Sequence, residues 1–240
     1  MKTIVLAAGY ATRLYPLTEN FPKPLLEIGR NTILGRLLDD VDTIPEISEH
    51  IIVTNGKFAP VFGQWAESRP SVKVLSDNTF TNETRLGAVR DLILAIETYK
   101  IDEDILVLAA DNILDFSLKG FVEEFHRKGT SMIMCHHEPE IYKLQRTGVI
   151  EVDEDFKVLQ MQEKPEVPVS HWAVPPFYIY RKEDLPLIKE ALGHGCDFDA
   201  PGNLAHYLTE ASVLHAWPMP AGRFDIGSLD TYEQAKLKYA

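Results

Sequence analysis

A short apolar run, Thr3 to Ala8, leads straight into Gly9-Tyr10-Ala11-Thr12-Arg13, and Lys23-Pro24 follows downstream. A glycine at the end of a buried parallel strand lets backbone N–H groups turn toward a phosphate chain. Arg13 can bridge phosphoryl oxygens through its planar fork, and Lys23 supplies a compact positive charge. One glycine followed by an arginine is a weak signal, and the segment reads equally as a solvated surface loop. No G-x-x-x-x-G-K-[ST] run occurs, which excludes an ordinary P-loop NTPase.

Asp111 follows a uniformly apolar run, Ile105 to Ala109. A free carboxylate there is costly unless a cation or hydrogen bonds satisfy it. It also reads as a turn or cap residue, a common use of Asp-Asn. Asp225, before Ile226-Gly227, carries the same two readings. Glu163-Lys164 taken alone reads as an exposed ion pair at a strand end.

These residues need elements to hold them. Short β-branched runs alternate with helical patterns, the sign of a layered α/β fold. Strands are expected at Thr3 to Ala8, His50 to Thr54, Val72 to Ser76 and Ile105 to Ala109. The last is apolar throughout, as parallel strands buried on both faces are, and ligands gather at the carboxyl ends of such strands. Ile33, Leu34, Leu37 and Leu38 give one helix its buried face, and Leu86, Val89, Ile93 and Ile96 another over Leu86 to Tyr99. Gly9 to Pro24 has no clear periodicity, and long loops inside compact domains are usually functional. Beyond about residue 130 the pattern shifts. Thr147 to Val152 and Lys157 to Gln162 flank Asp153-Glu154-Asp155-Phe156 as an antiparallel hairpin. Helices follow near Glu183 to Leu192 and Leu229 to Tyr239. With no repeat and no linker, residues 1–240 read as one domain.

Composition narrows the class. The chain has 240 residues, 45% of them apolar and 25% charged, which fits a folded globular protein. A net charge of −12 argues against a protein that coats nucleic acid. Anionic substrates stay possible, because a few placed cations and a metal override the surface locally. No apolar run reaches the roughly 18 residues of a membrane span. Cys135 and Cys196 have no metal spacing, which suits a reducing cytoplasm. In Cys135-His136-His137 successive side chains of a strand face opposite ways, so a compact metal site is not expected. Trp65, Trp172 and Trp217 read as core or pocket walls.

The stretch LAAGYATRLYPLTENFPKPLLEIG resembles the signature of the sugar-1-phosphate nucleotidyltransferases, the family of glucose-1-phosphate thymidylyl- and uridylyltransferases. Further blocks fall in that family's order: LGAVRD at 86–91, ADN at 110–112, TGVI at 147–150, EKP at 163–165, DAPGN at 199–203 and FDIG at 224–227. The resemblance spans essentially the whole chain. It implies a Rossmann-like mixed sheet flanked by helices, the nucleotide-diphospho-sugar transferase fold. Its reaction is a nucleoside triphosphate plus a sugar 1-phosphate giving a nucleotide sugar and pyrophosphate. It also implies a nucleotide over the N-terminal half and an acceptor over the second half.

Such a reaction needs alignment and charge neutralisation more than covalent help. A hard divalent cation on carboxylates supplies this, and by resemblance Asp111 and Asp225 hold Mg2+. Carried over by position, Leu6, Ala8 and Gly9 lie along the nucleotide, Gly9 and Arg13 hold the triphosphate, and Lys23 stabilises the reacting phosphates. Asn82 and Gly87 meet the base. Gly148, Glu163, Lys164 and Asn203 form the acceptor pocket, with Glu163 on hydroxyls and Lys164 on the phosphate. A homo-oligomer is compatible with all of this.

Three departures stand out. Relatives carry glycine where this chain has Ala11, which is therefore expected to avoid positive φ. They carry Gln where Asn82 stands, which leaves the base open. Val174-Pro175-Pro176-Phe177 replaces a small pair, and proline has no N–H to give. These departures motivate an alternative: a cytidylyltransferase acting on a phosphorylated small alcohol or a phosphonate. A non-catalytic nucleotide-sugar sensor is a third reading, disfavoured because it would not need Arg13, Lys23, Asp111, Lys164 and Asp225 together.

Overall fold

A computed structural model describes residues 1–239. In chain order the elements begin with β1 (Lys2–Leu6), β2 (Glu27–Ile28), β3 (Asn31–Thr32), α1 (Ile33–Val41), β4 (Glu49–Thr54), α2 (Ala59–Ala66), β5 (Val72–Ser76) and α3 (Ala88–Thr98). They continue with β6 (Ile105–Ala109), β7 (Asn112–Leu114), α4 (Lys119–Lys128), β8 (Ser131–His137), α5 (Ile141–Leu144), β9 (Gly148–Val152) and β10 (Val158–Glu163). The last are β11 (Trp172–Val174), β12 (Phe177–Tyr180), α6 (Leu185–Glu190), α7 (Pro201–Ala211), β13 (Leu214–Pro218), β14 (Arg223–Asp225) and α8 (Leu229–Lys238). This is the mixed α/β, Rossmann-like architecture implied above.

The chain packs as two compact units. The first takes Met1–Leu86, Ala109–Lys119 and the segment beginning at Pro220; the second takes Gly87–Leu108 and Gly120–Met219. In the first, β1, β4 and β5 pair in parallel, with Leu6 opposite Val53 and Thr54 opposite Ser76. Ile4 and Val5 of β1 and Ile51, Ile52 and Val53 of β4 are buried, which is why both strands carry apolar runs. Helix α1 starts where the Thr32 side chain accepts from the Gly35 N–H at 2.9 Å, and Ile33, Leu34, Leu37, Leu38 and Val41 form its buried face. Burying each such side chain stabilises the unit by about 1.5–3 kcal/mol. Strands β7 and β14 pair antiparallel, with Asp225 opposite Asn112.

The second unit is largely antiparallel. Strands β9 and β10 form the expected hairpin, β11 joins β9 and β8, and β12 joins β8 and β6. Strand β13 runs parallel to β8. Strand β6 is antiparallel to β12, with Phe177 opposite Leu108. An apolar run reports burial on both faces and says nothing about its neighbour's direction. The helix expected at Glu183 to Leu192 is three short pieces, two of them 3-10 turns around α6.

Ala11 corrects a second expectation. It sits in the left-handed region at φ 47 and ψ 44. Its carbonyl is held there by the Leu14 N–H at 2.9 Å and the hydroxyl of buried Thr18 at 2.8 Å. Two hydrogen bonds outweigh a local cost of about 1–2 kcal/mol. Ala11→Gly should remove that cost, offset by about 0.5–1 kcal/mol of extra unfolded-state entropy. The expected result in chemical denaturation is unchanged to about 1 kcal/mol higher stability. A clear loss would mean that the methyl, packed near Leu14 and Ile226, matters more than the strain.

Candidate active site

In the first unit the chain leaves β1 at a fixed angle. The Ala7 N–H bonds to Val53 O at 2.8 Å, and the amide of fully buried Asn55 donates to Ala8 O at 2.9 Å. Gly9 then lies exposed, and a side chain there would meet nothing. Its missing side chain serves no packing need; it keeps space clear. That space belongs to a cleft of about 120 Å3 whose walls include Leu6, Gly9, Lys23, Ala109 and Asp111.

Lys23 opens a short 3-10 turn ahead of Pro24 and lines the cleft. Nζ donates to Asp111 Oδ2 at 2.9 Å and to the Ile226 carbonyl at 3.1 Å. The other Asp111 oxygen accepts from Asn112 Nδ2 at 2.7 Å, while Asn112 Oδ1 accepts from Arg223 at 2.6 Å. Backbone fixes the same corner, since the Ile226 N–H donates to Asp111 O at 3.0 Å. Asp111 and Asp225 therefore share one electrostatic neighbourhood. Surrounding protein atoms push the Asp225 carboxyl above the usual carboxylate range and the Asp111 charge adds to this; Arg223, Lys23 and Arg13 pull it back. Asp225 keeps an exposed face, so its desolvation is partial, and the Asp111 charge adds to it.

This donor set fits a hard divalent ion. Two like-charged carboxylates that feel each other's charge are relieved by a cation. Among the described residues no group of three or more His, Cys, Asp or Glu could hold a metal unaided. Mg2+ suits such a site, because it takes one or two carboxylates and completes its shell with water and phosphate oxygens.

Asn82 begins an exposed 3-10 turn, Asn82–Thr84, and lines a hollow of about 350 Å3 with Tyr10, Tyr15, Lys57 and Phe80. Gly87, in the second unit, caps α3 at φ 96. A Cβ on it would stand 2.6 Å from the Phe198 ring and from the Phe198 carbonyl. The chain at 198–199 also accepts the first α3 amides, Ala88 N–H at 3.1 Å and Val89 N–H at 3.0 Å. Gly87 is thus required by backbone conformation and by a close approach of protein.

The acceptor candidates gather in the second unit. Register places Glu163 opposite Gly148 at the open end of the hairpin. Lys164 follows at φ 48, its N–H held by Thr147 O at 3.1 Å. Lys164 Nζ stands 3.6 Å from Glu163 Oε1, exposed, while the Glu163 side chain is only 16% accessible. Burial pushes the Glu163 carboxyl up and Lys164 pulls it partly back. Asn203 sits in the first turn of α7, its N–H bonded to Ala200 O at 3.1 Å. Gly202, beside it, touches the Glu163 carboxylate.

Sequence reasoning missed Asn55, Asn112, Arg223 and the particular part of Gly202. Asn112 and Gly202 lie inside motif blocks already noted, but only register shows what they brace.

Residues 2–240 match the nucleotidyl transferase family, and the chain belongs to it. It is 25% identical to the UTP–glucose-1-phosphate uridylyltransferase AglF of Haloferax volcanii, over 99% of this chain and 96% of that one. It is 26% identical to the bifunctional protein GlmU of Methanocaldococcus jannaschii, over 89% of this chain but 48% of that one. In fold it resembles a protein described as a glucose-1-phosphate thymidylyltransferase from Bacillus anthracis, with TM-score 0.84, 22% identity, and 100% and 95% of the two chains covered. A UDP-glucose pyrophosphorylase complexed with UDP-glucose gives TM-score 0.81 and 21% identity, over 99% and 97% of the chains.

Proposed function

We propose that this chain transfers a nucleoside monophosphate from a nucleoside triphosphate to a sugar 1-phosphate, with release of pyrophosphate. The observation that carries this is Lys23, held by Asp111 and Ile226 O in the cleft behind Gly9, with Asp225 in the same neighbourhood. An acceptor phosphate oxygen attacks the α-phosphorus, the bond to the β-phosphate oxygen breaks, and pyrophosphate leaves with the electron pair. Gly9 leaves room for the phosphate chain, and Arg13 with Lys23 meets its charge. Asp111 and Asp225 would hold the divalent ion, which supplies positive charge to the phosphate oxygens when bound. Glu163 and Lys164 would hold acceptor hydroxyl and phosphate, with Gly148 and Asn203 lining the pocket. Leu6, Ala8, Asn82 and Gly87 would lie on the nucleoside side. No described helix is long and apolar enough to cross a membrane, and the free Cys135 and Cys196 accord with work in the cytoplasm.

Pyrophosphate release, measured with several triphosphates against hexose 1-phosphates and phospho-alcohols, tests this reading. Release with no pair of substrates would overturn it.

One observation favours a smaller acceptor. Around Pro175-Pro176 the polar groups are already used: the Thr147 hydroxyl donates to Val174 O at 3.0 Å, and the Phe177 N–H donates to Pro175 O at 2.8 Å. With no N–H on either proline, this wall has few donors for a hexose. Phosphorylated small alcohols or phosphonates should then match or beat glucose 1-phosphate in kcat/KM. Pro176→Gly should move preference toward hexose phosphates by about 1–3 kcal/mol. A wild-type enzyme that strongly prefers a hexose 1-phosphate would remove this second reading and leave the first intact.

A further inference from the structure

Glu163 ends β10 with its carboxylate leaning on two glycines. A Cβ at Gly202 would overlap Glu163 Oε2 outright, and one at Gly148 would stand 3.3 Å from the same oxygen. Neither glycine is among the residues at positive φ, so backbone freedom does not explain them. One lies in a strand and the other in the first turn of an α-helix, places where glycine lowers stability. Gly202 follows Pro201 at the start of α7, whose N-terminus has no side-chain cap. A carboxylate seated there faces the positive end of the helix.

We propose, resting on the acceptor role assigned above to Glu163, that Gly202 is a positioning residue: its missing side chain lets the Glu163 carboxylate seat on the first turn of α7, and that seat fixes the point from which Glu163 meets the acceptor. Gly148 guards the same oxygen from the hairpin side. The added carbon of an alanine at Gly202 meets the far end of a flexible side chain, so the carboxylate moves and the fold holds. Alanine is the better helix residue, so the unfolding temperature should not fall.

Gly202→Ala should raise the acceptor KM about tenfold or more, since displacing a positioning group by an ångström is costly. The triphosphate KM should change little. In a Glu163→Ala background, Gly202→Ala should add nothing to the acceptor KM, because the carboxylate it displaces is gone. A glycine needed for the fold, or for touching the acceptor directly, would raise KM in both backgrounds. Should the Gly202 variant not fold, Gly202→Ala combined with Glu163→Asp carries the test: the carboxylate drawn back by one methylene leaves room for the methyl, so the pair should fold with an acceptor KM no higher than that of Glu163→Asp alone, and a further rise overturns the inference. An unchanged acceptor KM in the Gly202 variant, or an equal rise in both backgrounds, overturns the inference. Absence of pyrophosphate release by the wild-type protein would instead overturn the reaction itself.

Discussion

Asp225→Asn should lower kcat/KM by about a thousandfold or more, roughly 4 kcal/mol of transition-state stabilisation, while leaving the fold intact. The amide keeps the shape but loses the charge that would balance a divalent ion beside Asp111. Stability should move the opposite way in chelator. A carboxyl whose folded pKa lies above its unfolded value contributes stability at low pH and loses it as pH rises through the folded pKa. Asp225 is such a group, raised by partial burial and by Asp111. At neutral pH without metal, the permanently neutral asparagine should therefore be the more stable protein. That advantage should shrink as pH falls through the raised pKa. Mg2+ with a triphosphate should raise the unfolding temperature of the wild type more than that of the variant, as a ligand binding only the native state does. Full activity of Asp225→Asn, or of Asp111→Asn, in chelator would remove the metal assignment.

The two carboxylates show how far the sequence reaches. Asp111 was legible as a costly residue, since an apolar strand runs into it, and resemblance paired it with Asp225. That Lys23 would be its partner was not legible. The contact depends on the Ile226 N–H docking on Asp111 O and on the register that sets Asp225 opposite Asn112. Strand β6 follows its apolar run residue for residue because burial on both faces defines it. Direction is a separate matter, decided by a neighbour distant in sequence, as β12 is for β6. Ala11 failed for a related reason: a propensity of about 1 kcal/mol was weighed without Thr18, which supplies the bond that overrides it. Glu163 and Lys164 were legible through EKP, but the seat of the carboxylate on Gly202 needed α7 packed against β10.

Lys23→Met should lower kcat by about 100- to 1,000-fold, with a much smaller change in KM for the triphosphate. The argument rests on preorganisation. The ammonium is fixed before substrate arrives, by Asp111 Oδ2 at 2.9 Å and Ile226 O at 3.1 Å, so no reorganisation is needed as charge grows on the phosphates. An interaction that strengthens only in the transition state appears in kcat; one made equally to bound substrate appears in KM. A second signature separates this role from simple attraction of an anion. Lys23 is among the cations that hold the Asp225 carboxyl down, and it neutralises Asp111 directly. Without it the Asp225 carboxyl resists ionisation more strongly. The acid limb of the kcat–pH profile should then move to higher pH in the methionine variant. A pure KM effect with an unmoved acid limb would mean that Lys23 contributes uniform binding alone.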